Sequence, residues 1–465
     1  MKKGFGSVLI VIILGCMITL CLAFAEAGSS YCARSCAENY CLVTGRSILS
    51  EYQKDLNRRY GLFMVRGYGD ELSSLARFYL SADTFLSSSV IERTCTDASA
   101  DSSGYRGLNT ELFTEQVKKL GTLEIAGNAA SRLGITEAMK GASESEKALS
   151  SSSFEEELDE LCMYDEEFTE EDEEEDPELF ERIRQAIKLR KRLRQSEDRE
   201  AVKASGKSVP AGIKSELPSK ILGFSPRSIL SVSGGVFDIS AEDLLLDEYV
   251  IGCCSNDQNK RDDTVLELEA EYVLYGAGSD SANKRLVRNS LYALRFSLNM
   301  ASILSEPALA SEISAAASVF SLIPRPVALA AIASIWAGIE TKQDLSLLSQ
   351  GGTVPVIKDA SDFTTDIFAF LDGRKSGGSS GKKEGFGTYE DYLRILLAML
   401  SEEEKAARLM DVMQMNVVCI DKKNFSFTDY AYGFELDADF SRKHYLSNPF
   451  SKGGGGHIHE TFVYR

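Results

Sequence analysis

Three histidines are the only imidazoles in 465 residues. Two of them, His457 and His459, are spaced to share one face of an extended segment, with Glu460 on the other. Two imidazoles at i, i+2 supply two metal ligands, and a third must come from elsewhere. Cys32 and Cys36, one helical turn apart, form a second incomplete pair. A polar strand end and a helix face with two small residues explain both, so no metal and no cofactor is expected. Gly206-Lys207-Ser208 has the tail of a phosphate-binding loop, but Ala201 stands where a glycine is needed; Gly381-Lys382-Lys383 fails in the same way at Ser376. No His-Glu-x-x-His pair or calcium-loop pattern occurs. Carboxylate pairs abound by composition alone, and none has a partner base in the sequence. No catalytic residue or small-molecule substrate is identified, and the chain reads as non-enzymatic.

The elements that would position any site begin with Val8 to Ala25, an apolar run behind Lys2 and Lys3. Eighteen residues at 1.5 Å rise make roughly 27 Å, close to the hydrocarbon thickness of a bilayer. Val8, Leu9, Ile10, Val11, Ile12, Ile13, Leu14, Leu20 and Leu22 form the lipid-facing anchor of this reading. Lys2 and Lys3 stay cytoplasmic, so a single-pass protein in the cell membrane places its bulk outside. Ala23-Phe24-Ala25 also fits a signal-peptide cleavage site, and either reading exports the chain. Helical spacing continues through Leu42, Gly45, Leu49, Tyr52 and Leu56, which predicts one helix from Val8 to Arg59, about 78 Å long. Leu42, Leu49, Tyr52 and Leu56 are its expected packing stripe, and Tyr60-Gly61 its stop.

Further along, Leu62 to Val65 reads as a short strand, and Asp70 to Leu86 and Thr110 to Leu120 as helices. Glu155 to Asp176 holds 15 acidic residues and no Lys or Arg, so most of the formal charge of −19 belongs to one segment. That charge argues against nucleic acid, which needs a basic footprint. Glu178 to Arg194 reverses the sign with seven basic residues and an apolar stripe at Phe180, Ile183 and Ile187. It reads as a helix within a charged linker, or as a patch that touches anionic lipid. Leu266 to Leu274 alternates apolar residues with Glu267, Glu269 and Glu271, the pattern of a strand with one wet face. Tyr430 to Phe440 and His457 to Tyr464 predict two more strands. Helices are predicted over Asn283 to Leu304, Ser311 to Leu322, Val327 to Ile339 and Tyr389 to Val417. Pro324-Arg325-Pro326 divides the apolar region around Trp336 into pieces too short to cross a bilayer. Capping-box spacing at Thr388–Asp391 and Ser401–Glu404 places a break near Ser401. Gly373 to Gly387 is a flexible loop. The eight cysteines beyond the apolar run permit disulfides or reduced thiols equally.

Seven stretches, in chain order, resemble the domain-of-unknown-function family 5702, bacterial proteins associated with Tad (Flp) pilus systems of Gram-positive bacteria. They are Lys2-Lys3-Gly4; Glu51-Tyr52 leading into Tyr60-Gly61-Leu62-Phe63; Leu246-Asp247-Glu248-Tyr249; Leu268 to Leu274; Val354-Pro355-Val356-Ile357-Lys358; Tyr389-Glu390-Asp391-Tyr392-Leu393; and Met410 to Asn416. The resemblance implies a membrane-anchored extracytoplasmic component of a pilus or secretion assembly, pilin-like in its N-terminal helix, with protein partners and no catalytic residues. One departure is Leu9 or Val11 at the position where prepilin processing wants a glutamate, counted from Gly4 or Gly6.

The expected fold is α+β: a transmembrane helix continuing into a long amphipathic one, then a helix-rich ectodomain with a small antiparallel sheet that includes the C-terminal strands. The expected divisions are 1–30, anchor; 31–141, helical region; 142–219, charged and partly disordered linker; and 220–465, ectodomain. A structural or assembly role is the leading function. An envelope binding module or adhesin is the first rival, to be told apart by an exposed aromatic groove, and an extracytoplasmic enzyme the second, by convergent polar groups in a deep pocket.

Overall fold

The computed structural model describes residues 4–67, 70–81, 93–121, 154–163, 177–197, 206–210, 243–374, 387–422, 424–442 and 456–464. Lys2 and Lys3, residues 82–86 of the second expected helix, most of the acidic run and most of the Gly373–Gly387 loop lie outside them. The chain divides into two units, residues 1–116 with 421–465, and residues 117–420. By this division the C-terminal strands share a unit with the N-terminal residues.

In the first unit, helix α1 (Gly4–Ser50) is followed by α2 (Lys54–Tyr60), β1 (Val65–Arg66), α3 (Asp70–Ser81), β2 (Arg93–Asp101) and the start of α4 (Thr110–Gly121). After residue 420 the chain returns as β3 (Tyr430–Ala431), β4 (Gly433–Arg442) and β5 (Gly456–Val463). β2, β4 and β5 form an antiparallel sheet with β4 central, and β1 pairs with β3. Ala438 sits between Ala98 and Ile458 in the register. The alternation in β4 buries Phe434, Leu436, Ala438 and Phe440 beneath α1 and α3, as a half-buried strand requires.

The expected continuous helix to Arg59 is broken at residues 51–53. Tyr52 bridges to Val65, and the Gln53 amide donates to the Met64 carbonyl at 2.9 Å. Extended pairing thus replaces helical bonds at that point. α2 then stops at Gly61, whose positive φ of 72° lets its amide return to Asn57 at 2.7 Å.

The packing face of α1 takes in residues beside the expected stripe. Ala33, Ala37, Cys41, Thr44, Gly45 and Ile48 are its buried members, mostly small residues that let the helix approach the sheet closely. Leu42 and Leu49 flank them, half-buried against the same core. Gly45 faces the ring of Phe462, and a β-carbon there would overlap that ring. Gly45→Ala should therefore destabilise this unit by about 1–3 kcal/mol, the usual range for overpacking. Thermal unfolding of the full chain would show it, and Phe462→Leu in the same background should return most of the loss.

The second unit is helical: α5 (Phe154–Met163), α6 (Pro177–Glu197), α7 (Asp243–Cys253), α8 (Glu269–Tyr275), α9 (Asp280–Ser305), α10 (Pro307–Ala317), α11 (Arg325–Ser349), α12 (Ile367–Leu371), α13 (Tyr389–Ala398) and α14 (Glu402–Cys419). Segment 142–219, expected as a linker, contributes two core helices. Leu158 of α5 and Ala186, Leu189 and Leu193 of α6 are buried against α11. Arg190 pairs with Asp159 at 2.9 Å, so opposite charges on the two helices meet. α11 begins at the Pro324-Arg325-Pro326 punctuation, with a proline in its first turn where no amide is needed. It buries Trp336, whose indole N–H donates to the Thr365 carbonyl at 3.3 Å. Thr388 forms the expected capping box with Asp391, and Ser401 caps α14 by accepting from the Glu404 amide.

The expected strand Leu266–Leu274 is instead a loop leading into helix α8, and the wet face is absent. Glu269, Glu271, Val273 and Tyr275 are as buried as their alternating apolar neighbours. Tertiary partners satisfy the groups a short helix leaves open. The Asp280 carboxylate accepts the amides of Glu267 and Leu268. The Ser255 carbonyl accepts that of Ala270. At the other end Arg408 donates to the carbonyls of Val273 and Leu274 at 3.1 and 2.5 Å.

Candidate functional site

Val8, Leu9, Ile10, Val11, Ile12, Ile13, Leu14, Leu20 and Leu22 lie on every side of α1 and are 43–67% exposed. None of the most apolar window of this helix is buried. Thr19 returns its hydroxyl to the carbonyls of Gly15 and Cys16 at 3.0 and 2.9 Å, which leaves that polar group satisfied without water. Burial begins only at Ala33. Of the expected packing residues, Leu56 is fully buried and Tyr52 is half-buried, edge-on to Phe63 with ring centroids 5.0 Å apart.

His457 and His459 share the exposed face of β5, in keeping with their spacing. Each meets aspartates of β4: His457 with Asp439 at 3.0 Å and Asp437 at 3.2 Å, His459 with Asp437 at 2.9 Å. The Asp437 hydrogen bond raises the pKa of His459. Among the described residues no group of three His, Cys, Asp or Glu side chains is arranged to hold a metal ion. All ten cysteines are free thiols. Cys32 is exposed and Cys36 half-buried on the same helix.

Among the described residues, the buried charged side chains are inside the helical unit, where no catalytic motif marks them. On α9, α11 and the chain after it, Arg295, Asp344, Glu340 and Lys358 form a buried centre of two cations and two anions. Arg295 donates to Asp344 at 2.9 and 3.1 Å, to the Pro355 and Val356 carbonyls at 3.0 and 2.8 Å, to Tyr392 at 3.0 Å and to Asn299 at 2.6 Å. Lys358 bridges Glu340 and Asp344. Glu340 also accepts the backbone amides of Thr364 and Thr365 at 3.0 and 2.9 Å. The charges balance, and each is held by hydrogen bonds, the condition under which buried ions persist. Burial pushes the Tyr392 hydroxyl up to about 12, so it remains a donor.

A second centre surrounds α8. Glu269 accepts from Ser255 at 3.0 and 3.2 Å and from Asn416 at 2.5 Å. Glu271 Oε1 accepts from the Asp257 amide at 3.0 Å and the Tyr389 hydroxyl at 2.8 Å, while Oε2 has no hydrogen-bond partner among the described residues. Burial raises the Glu271 carboxyl to about 7 against those hydrogen bonds. Nearby, Arg394 clasps Glu248 at 3.0 and 3.2 Å, and Lys405 meets Asp247 at 2.6 Å. A carboxyl that titrates near neutrality beside a tyrosine is the kind of group active sites use. Glu271, however, is sealed from solvent, and none of these side chains lines the cavity between α9, α10 and α11. The arrangement ties α8 to the helices around it.

One signal for these centres is present in the sequence. Leu246–Tyr249, Leu268–Leu274, Val354–Lys358, Tyr389–Leu393 and Met410–Asn416 embed charged or amide side chains in apolar surroundings. They supply Asp247, Glu248, Glu269, Glu271, Lys358, Tyr389, Tyr392 and Asn416.

The architecture is that of an α+β protein with one long apolar N-terminal helix, of the length and composition of a membrane anchor or a signal sequence. The chain belongs to the family of unknown function (DUF5702), whose sequence profile matches residues 169–442, more than half of its length. No curated protein and no solved structure matches it.

Proposed function

We propose that the protein is a non-enzymatic structural or assembly component, held in the cell membrane by the first half of α1 with its bulk outside the cytoplasm. One observation carries this reading: the helix is apolar on all sides from Val8 to Leu22 and packs against none of the described residues. In water such a surface is costly, whereas in lipid the helix satisfies its backbone internally. The finer part of the proposal is association with a Tad-type pilus or secretion system in a Gram-positive envelope. Its support is the ordered family resemblance, together with ion-paired interiors that suit a rigid scaffold. The partners on this reading are the bilayer and the proteins of that assembly.

The test is fractionation and pull-down of the full chain. The intact mass should include residues 1–25, and the protein should remain in membranes after alkaline carbonate washing. Ile12→Arg with Leu14→Arg should release it, since each arginine near a span centre costs about 2.5–3.5 kcal/mol. Cys419, which is exposed, should react with an impermeant maleimide in intact protoplasts. Pilin-like or secretion-ATPase-associated proteins should co-purify from detergent. Recovery of the uncleaved chain in the soluble fraction overturns the anchor, and recovery of the chain alone overturns the assembly role.

A further inference from the structure

α9, α10 and α11 enclose a cavity of about 400 Å³ that opens to solvent on one side. Its walls are Met300, Ile303, Leu304, Ile313, Leu329 and several alanines, with one hydroxyl, Ser314. The volume falls in the range of small-molecule sites, and walls with so little polarity give water too few partners to be held there. Leu304, at 52% exposure, carries the apolar lining out to the surface.

The polar exception has a cation behind it. Ser314 accepts a hydrogen bond from Arg325 Nη2 at 2.7 Å. Arg325 is exposed and has no ion pair among the described residues. The guanidinium therefore stands beside an apolar cavity with Ser314 as its side-chain partner among the described residues, and its planar fork matches a carboxylate. Lys188 lies over the ring of Phe320, in the turn between α10 and α11.

We propose that this cavity is a binding site for a long-chain fatty acid, with the alkyl chain between α9, α10 and α11 and the carboxylate on Arg325. The apolar walls supply the driving force by burying the chain, and the guanidinium at the mouth selects an anionic head over a neutral one. The site belongs to the helical unit and does not depend on the membrane role of α1.

The experiment uses the full-length protein in phosphatidylcholine nanodiscs and a palmitic acid bearing a photoactivatable diazirine. Crosslinks mapped by peptide mass spectrometry should fall in residues 300–314 and 326–333. Unlabelled palmitate should compete at least ten-fold better than hexadecanol. Ala310→Trp, which fills the cavity from an exposed position, should lower this labelling at least ten-fold with an unchanged thermal midpoint. Arg325→Gln, also at an exposed position, should weaken competition by palmitate about ten-fold and leave hexadecanol unchanged. Crosslinks confined to α1, labelling insensitive to both substitutions, or equal competition by the alcohol would each overturn the proposal. So would displacement of the probe by phosphatidylglycerol in the disc, which would assign the site to a bilayer lipid.

Discussion

Arg295→Met is expected to destabilise the helical unit by about 3–5 kcal/mol, the cost typical of removing one partner from a buried ion centre. The substitution keeps much of the side-chain volume and deletes every donor that Asp344, Asn299, Tyr392 and the carbonyls of Pro355 and Val356 receive from the guanidinium. Lys358 is then left between two buried carboxylates, Glu340 and Asp344, with one uncompensated negative charge. Adding Asp344→Asn restores the charge balance and should recover part of the loss, a coupling that a double-mutant cycle measures. Denaturant unfolding of the full chain reads both effects. A single-mutant loss below about 1 kcal/mol would mean that solvent reaches the centre and screens it as it does a surface pair.

Glu271→Gln is expected to stabilise the protein at pH 8 by about 3 kcal/mol and to flatten its stability between pH 4.5 and 7, because the folded-state carboxyl titrates near 7 and the unfolded one near 4.5. Between those values the native chain holds a proton that the unfolded chain has released. Stability contributed by this group is therefore complete below pH 4.5 and is lost as pH rises through 7. A tenfold difference in proton affinity between the two states corresponds to about 1.4 kcal/mol, which sets the size of the effect. Glutamine is neutral throughout and can keep the Asp257 amide and the Tyr389 hydroxyl as donors to its carbonyl oxygen. Glu269, raised mainly by its own burial, adds a slope of the same sign that survives the substitution. An unchanged wild-type slope in Glu271→Gln, measured by urea midpoints from pH 4.5 to 8, would refute the assignment.

Both substitutions fall at residues whose types are plain in the sequence but whose environment is not. Glu269 and Glu271 alternate with apolar residues, and alternation alone is the mark of a half-wet strand. The segment winds into a helix because Asp280, Ser255 and Arg408, brought from elsewhere in the chain, satisfy its open ends. The basic run in α6 has the charge count of a solvated linker. Ala186, Leu189 and Leu193 nevertheless form a continuous buried stripe, while Arg184, Lys188, Lys191 and Arg194 stay exposed away from it. The packing face of α1 widens beyond the expected stripe for a related reason. Helical spacing picks out Leu42, Gly45 and Leu49, while the contact with the sheet also takes in Ala37 and Cys41, and at Gly45 a larger side chain would meet the Phe462 ring.

The sequence by itself determined what local chemistry controls. The apolar helix at Val8–Leu22, the left-handed stop at Gly61, the caps at Thr388 and Ser401, the proline start of α11 and the alternating strand of β4 each depend on residues within a turn or two of one another. Only the tertiary structure decided where α1 breaks, which strands join β2, whether α8 coils, and which charges pair in the interior. Some of those outcomes depend on groups a dozen residues apart, such as Tyr52 with Val65, and others on groups more than a hundred apart, such as Val65 with Ala431, Glu248 with Arg394 and Glu269 with Asn416. Desolvation makes each such partner indispensable once it is buried.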